Sequence, residues 1–279
     1  MPTPAIETSV ASGDAEIRKA LRLRIISAAC MIPPTIAGIF MGGRVFTAMV
    51  TFAAMLMIFE WTRMVEGRAY SWRFYLLSAG AAAALILASL GHYPAALGVA
   101  AIAGGASLAP IGGFTFWPAI AAPYIIAPTI GLIWLRFDPS YGTTLTVLIF
   151  VTVWAADTGA FIFGKLIGGP KISHALSPSK TWAGIGGGVA GGALVGAVAA
   201  YALFGAEAGA AFLLAGGVIG AASVAGDLAE SAFKRRFGLK DISGFIPGHG
   251  GVLDRLDGMI FATVAMTSAY LLYIVFEKL

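Results

Sequence analysis

Nine apolar runs, each long enough to cross the hydrocarbon core of a bilayer, follow one another along this chain. They lie near residues 20–41, 45–63, 74–91, 94–111, 117–135, 143–165, 183–204, 209–229 and 258–276. A core about 30 Å thick takes roughly 20 residues of helix. Within it every backbone N–H and C=O must be bonded inside the segment, which for runs of this length means helix. The expected fold class is all-α: a polytopic integral membrane helical bundle of about nine transmembrane helices. Only 11% of the 279 residues are charged, against about 25% in a soluble domain. That is too little charge to clothe a soluble protein of this size. Thirty-seven glycines would each weaken a soluble helix by about 1 kcal/mol; in lipid, small residues let helix backbones approach closely. The first run carries Pro33-Pro34 and is expected to kink there. The fourth is the weakest, with Gly104, Gly105 and Pro110 near its end.

Orientation follows from Lys and Arg. With the N-terminus in the cytoplasm, 15 of the 18 basic residues fall on inner segments, and only Arg44, Arg136 and Lys278 fall outside. Such a bias sets topology and absorbs most of the +4 formal charge and the pI near 9.3. No nucleic-acid partner is therefore expected. Residues 1–18 read as a polar cytoplasmic tail, too long and too acidic for the leading part of a cleavable signal. The single cysteine, Cys30, excludes an internal disulfide and a cysteine-based metal site. Outer connections are short, whereas the inner connections 166–182 and 230–257 are long and charged. The whole chain, 1–279, reads as one membrane domain, with 140–279 as the half that carries an active site at the cytoplasmic face.

The segment Gly226–Gly258, GDLAESAFKRRFGLKDISGFIPGHGGVLDRLDG, leaves the eighth run and enters the ninth. Asp227, Glu230, Ser231 and Lys234 share one helical face, and Asp254 and Asp257 are three apart at the start of the next helix. Carboxylates beside hydrocarbon are costly and persist most readily around a cation. An all-oxygen set favours Mg²⁺. Lys234, Arg235, Arg236, Lys240, His249 and Arg255 lie among these acids, and Gly244, Gly248, Gly250 and Gly251 let backbone N–H groups approach a ligand. Acids for metal with bases for phosphate is the composition of a phosphoryl- or nucleotidyl-transfer site.

A second group is Asp157, deep in the sixth run, with Lys165, Ser177, Ser179, Lys180 and Thr181. An intramembrane acid is a functional candidate, and Lys180 with its neighbouring hydroxyls suits phosphate oxygens. Against this stand an acid hydrogen-bonded by Thr158 and an ordinary solvated loop. Three other patterns are set aside. Gly159 to Lys165 approaches a phosphate-binding loop, but Leu166 stands where Ser or Thr must bind Mg²⁺. Gly184 to Gly192 reads as a helix-packing face. Glu60 and Arg63 read as a structural i, i+3 pair, and His92 and His174 have no metal partner at a useful spacing.

The order Ser231-x-x-Lys234-Arg235-x4-Lys240-Asp241-x-x-Gly244-x-x-Pro247-Gly248-His249-Gly250-Gly251-x-x-Asp254-Arg255-x-Asp257 resembles the signature of the phosphatidate cytidylyltransferase (CDP-diglyceride synthase) family. The likeness extends through AADTGAFIFGKLIG and LSPSKTWAGIGGG; over residues 1–140 only hydropathy and span number fit. The resemblance implies transfer of a cytidylyl group from CTP to phosphatidic acid, giving CDP-diacylglycerol and pyrophosphate in phospholipid biosynthesis. It implies a multi-span helical protein, typically a homodimer. It further implies that Asp227 and Asp254 bind Mg²⁺, alone or with a second cation. The candidate catalytic residues are then Asp227, Asp254, Lys234, Asp257 and His249. Candidate substrate contacts are Ser177, Lys180, Thr181, Ser231, Arg235, Lys240, Arg255 and Asp157. A bacterial cytoplasmic membrane is the expected location. Two rivals remain at this point: a CTP-dependent enzyme using a polyprenol or ether lipid, and an anion transporter with Asp157 as its coupling site. A CDP-alcohol transferase is disfavoured because its DG…AR…G…D…D pattern is absent.

Overall fold

The computed structural model describes residues 32–173, 177–243 and 250–277. Nine α-helices are formed among the described residues: α1 (Ile32–Met41), α2 (Gly43–Glu66), α3 (Trp72–Ser89), α4 (Tyr93–Ala106), α5 (Ala127–Arg136), α6 (Gly142–Leu166), α7 (Trp182–Phe204), α8 (Ala206–Arg236) and α9 (Leu253–Glu277). Seven helical segments are long and apolar enough to cross a membrane, the fifth of them running from Trp117 to Arg136. The protein is an all-α, polytopic integral membrane protein.

Departures from the expected borders have local causes. The helix expected over 94–111 stops at Ala106, after 14 residues. Beyond it the Arg73 guanidinium draws in the chain, donating to the carbonyls of Ser107, Ala109 and Gly113, and Pro110 has no N–H with which to continue a helix. The fifth span begins as a 3₁₀ turn, Trp117–Ile120, and a π turn, Ala122–Ile126. Pro118, Pro123 and Pro128 punctuate it. Ala127 donates to the Ala122 carbonyl five residues back, so the chain turns wide around Pro123 before α5 begins. Of the first expected span only 32–41 is described, as α1 with Pro33-Pro34 in its first turn; the residues before it, and with them the kink expected there, fall outside the described residues. The connection 166–182 holds a feature the helical reading lacks: an antiparallel hairpin of β1 (Lys171–Ser173) and β2 (Ser177–Thr181).

Packing differs between the two halves. α2, α3, α5 and the start of α6 close on large buried side chains, among them Trp61, Met57, Leu77, Ile133 and Ile149. From α6 to α9 the helices pack on glycine. A methyl on Gly187 of α7 would lie 2.5 Å from the Gly159 carbonyl oxygen of α6. One on Gly216 of α8 would lie 2.5 Å from the Gly192 oxygen of α7, and one on Gly226 of α8, 2.3 Å from the Asp257 oxygen of α9. The glycine run in α7 is thus a packing face, as its composition predicts. The last of these crossings places Asp227 directly against the first turns of α9.

Candidate active site

Three acids meet where α8 and α9 cross. Ligand oxygens of Asp227, Glu230 and Asp257 all lie within 4.8 Å of one another. Asp227 and Glu230 are one turn apart on α8, and the contact between Gly226 and Asp257 brings the third acid in from α9. At an effective dielectric constant of 20, two unit charges at such a separation repel by about 3 kcal/mol, so the cluster calls for positive charge. Lysines supply part of it. Lys180 Nζ is 2.7 Å from Asp227 Oδ1. Lys234 Nζ is 2.7 Å from Glu230 Oε2 and 3.1 Å from Asp254 Oδ1. The other Glu230 oxygen, Oε1, is buried with no hydrogen-bond partner among the described residues. A buried carboxylate oxygen without a donor is costly, and a hard cation would satisfy it, so the donor set fits a metal of the Mg²⁺ kind.

α9 begins at the site. Asp254 accepts from the Gly251 N–H at 3.0 Å, a carboxylate in the first turn where the helix dipole favours it. Asp257 accepts from the N–H of Gly258. Gly250 has φ +82°, and a methyl there would fall 2.6 Å from Asp254 Oδ2, so the left-handed turn and the carboxylate both require glycine.

These groups open onto a cavity of about 760 Å³, which Asp157, Lys180, Asp227, Asp254, Arg255 and Asp257 line on its polar side. Much of the remaining lining is apolar, with Phe150, Val153, Trp154 and Phe161 on α6, the helix that also carries Asp157. Asp157 accepts from Ser223 on α8 at 3.3 Å, while Thr158 turns to the Trp154 carbonyl instead. Five carboxylates therefore border the site, and Lys180 and Lys234 pair with three of them.

The remaining expected site residues are placed as follows. Lys180 comes from β2, and its Nζ also lies 3.4 Å from Ser231 Oγ. Thr181 is buried and caps α7, its hydroxyl accepting from the Gly184 N–H, though it still borders the cavity. Ser177 is buried in the hairpin opposite Ser173. Arg235 is exposed and donates to the Leu239 carbonyl, and Lys240 is exposed on the connection beyond α8; neither lines the cavity. His249 lies outside the described residues, as do Gly244, Pro247 and Gly248.

Glu230 and Tyr124 stand out at the site although the family signature does not mark them. Glu230 shares a face of α8 with Asp227 but is not among the metal ligands that the resemblance implies; the structure clusters it with Asp227 and Asp257, and its spacing from Asp227 is the signal. Tyr124, on the π turn, packs among Trp61, Phe233 and Phe261. Its buried hydroxyl has no partner among the described residues.

Alanine at Gly226 is expected to push α9 outward at the site. A displacement of about 1 Å costs about 10²-fold in turnover when catalysis depends on positioning. Nucleotide turnover by the purified variant, set against its unfolding temperature, checks this.

A bundle that spans the membrane, with an acid-and-lysine centre at the end of a half-apolar cavity, defines a membrane-embedded enzyme of phosphate or nucleotide transfer. The chain belongs to the cytidylyltransferase family, which its sequence matches over residues 22–274, and it is a nucleotidyltransferase. It is 32% identical over 255 residues to the phosphatidate cytidylyltransferase of Brucella suis biovar 1, covering 88% of this chain and 92% of that one. It is 32% identical over 268 residues to the phosphatidate cytidylyltransferase of Pseudomonas aeruginosa, covering 87% and 94%. A shorter match to the enzyme of that name from Synechocystis sp. reaches 45% over 120 residues.

Proposed function

We propose that this protein transfers CMP from CTP to phosphatidic acid, giving CDP-diacylglycerol and pyrophosphate. The observation that carries this reading is a cavity lined by both charged and large apolar side chains, which suits a substrate pair of nucleotide and lipid. The names of the relatives supply the lipid. Asp227, with Glu230 and Asp257, would hold the cation, and Asp254, the other acid that the resemblance implies as a ligand, stands beside them, sharing Lys234 with Glu230. Mg²⁺ held there, alone or with a second cation, would supply positive charge to phosphate oxygens. In the reaction a phosphate oxygen of the lipid bonds to the α-phosphorus of CTP, and the bond from that phosphorus to the β-phosphate bridge breaks. A phosphate nucleophile is already ionised and needs no strong base, so positioning and electrostatics dominate. Lys180 and Arg255, on the cavity wall, stabilise the negative charge of the leaving pyrophosphate. Phe150, Val153, Trp154 and Phe161 receive acyl chains arriving sideways from the bilayer.

The distribution of basic residues supports a site at the cytoplasmic face, with the N-terminus inside. Bacterial relatives support a bacterial inner membrane. The homodimer rests on the family resemblance.

The test is incorporation of labelled CTP into phosphatidic acid by the purified protein in detergent micelles, with Mg²⁺ and with chelator. Labelled CDP-diacylglycerol is expected only with both substrates and the metal. Labelling of a polyprenyl phosphate in preference to phosphatidic acid would overturn the lipid assignment.

A further inference from the structure

We propose that Glu60, a fully buried carboxylate on α2, is a positioning residue for the catalytic end of α9. Its Oε1 accepts from the Val252 N–H at 3.0 Å and its Oε2 from the Leu253 N–H at 2.7 Å. Ser243, on the other side of the connection from α8, donates to it as well. One side chain from a distant helix therefore holds both flanks of the catalytic connection, 183 and 193 residues away in sequence.

The first N–H groups of a helix have no partner within it, and a carboxylate placed there gains from both hydrogen bonding and the helix dipole. The helix served is the one that carries Asp254, directly after Leu253, and Asp257 one turn on. Whatever fixes Val252 and Leu253 fixes the direction of those two acids toward α8. Gly251 records the same contact: a methyl there would lie 2.7 Å from each Glu60 oxygen. Gly251 has no unusual φ to explain it, so the glycine is required by the carboxylate against it. Arg63, the partner the sequence offered Glu60, is exposed, and no ion pair joins the two. A buried acid in a span is costly without compensation, and here the compensation comes from donors of the catalytic connection.

The proposal rests on the α8–α9 centre being catalytic, and its test separates the two. Full-length Glu60→Gln protein in lipid nanodiscs is followed by amide hydrogen exchange without metal, by turnover of CTP with phosphatidic acid across a Mg²⁺ titration, and by thermal unfolding. Glutamine keeps one acceptor oxygen of two. Exchange at 252–253 is expected to quicken about 10-fold and kcat to fall about 10- to 10²-fold, with unfolding temperature and exchange along α2 near those of the native protein. Gly251→Ala, which leaves Glu60 in place and crowds it, is expected to act in the same direction. Combining it with Glu60→Ala adds less than the two losses together, because the smaller residue makes room. Native exchange and kcat in Glu60→Gln would overturn the proposal. So would a general collapse of stability that quickens exchange in α2 and α9 alike. If exchange responds as expected but native protein makes no lipid product from CTP, the contact stands and the proposed function fails.

Discussion

Asp227→Ala is expected to lower cytidylyl transfer by about 10³-fold or more while leaving the protein folded. The side chain is half exposed at the cavity, and the ion pair it makes among the described residues, with Lys180, is on that open side. Losing a pair so placed costs about 1 kcal/mol or less. The chemistry has no such reserve. Asp227 is the only α8 acid in the three-carboxylate cluster that faces the cavity directly, since Glu230 is buried beneath it. Removing charge preorganised around a reacting phosphate forfeits several kcal/mol of transition-state stabilisation. Labelled-CTP incorporation measures the loss, and unfolding with and without Mg²⁺ gives a second reading. Native protein is expected to gain stability from Mg²⁺, and Asp227→Ala to gain little. A variant turning over at the native rate would remove Asp227 from the metal site.

Much of this centre is legible in the sequence because it is local. Asp227 to Lys234 lie on one helical turn after another, and Asp254 and Asp257 on the next helix, so helix periodicity alone puts each set on one face. Seven of the nine expected spans, and most of their borders, follow equally directly from hydropathy, which is a property of single segments. What is not legible depends on contacts between segments. The α8 helix runs to Arg236, seven residues past the expected end of its span, because Lys234 pairs with Glu230 one turn back and with Asp254 of α9, and both stay helical out of the apolar core. Glu60 looks like half of an i, i+3 pair until α9 arrives to offer two N–H groups. The same rule that singled out Asp157, an acid inside an apolar run, applies equally to Glu60. The short α4 and the wide turn at Ala122–Ile126 depend on an arginine from α3 and on three prolines whose joint effect no hydropathy window registers. The hairpin that carries Lys180 is a few residues of polar loop in sequence, and only its pairing brings the lysine to Asp227.

Lys234→Met is expected to harm both stability and rate, and the two losses are separable. The ammonium sits between Glu230, whose side chain is 2% exposed, and Asp254, at 9%. Methionine keeps most of the volume and removes the charge, leaving two buried carboxylates without their counter-ion. Breaking a buried pair in this way costs about 3–5 kcal/mol, because the cost lies in the charge left behind rather than in the bond lost. Removing one of those charges as well should recover much of the loss: Glu230→Gln with Lys234→Met is expected to unfold at a higher temperature than Lys234→Met alone. Turnover behaves otherwise. The double variant lacks both a cluster carboxylate and a cation beside the reacting phosphates, so its rate stays about 10²- to 10³-fold below native. Mg²⁺ offers a third comparison. A site with surplus negative charge binds a divalent cation more strongly, so Mg²⁺ is expected to raise the unfolding temperature of Lys234→Met by more than that of native protein. Equal unfolding temperatures for the single and double variants would mean that Lys234 is not the counter-ion of Glu230, and its place would then be with the substrate phosphates alone.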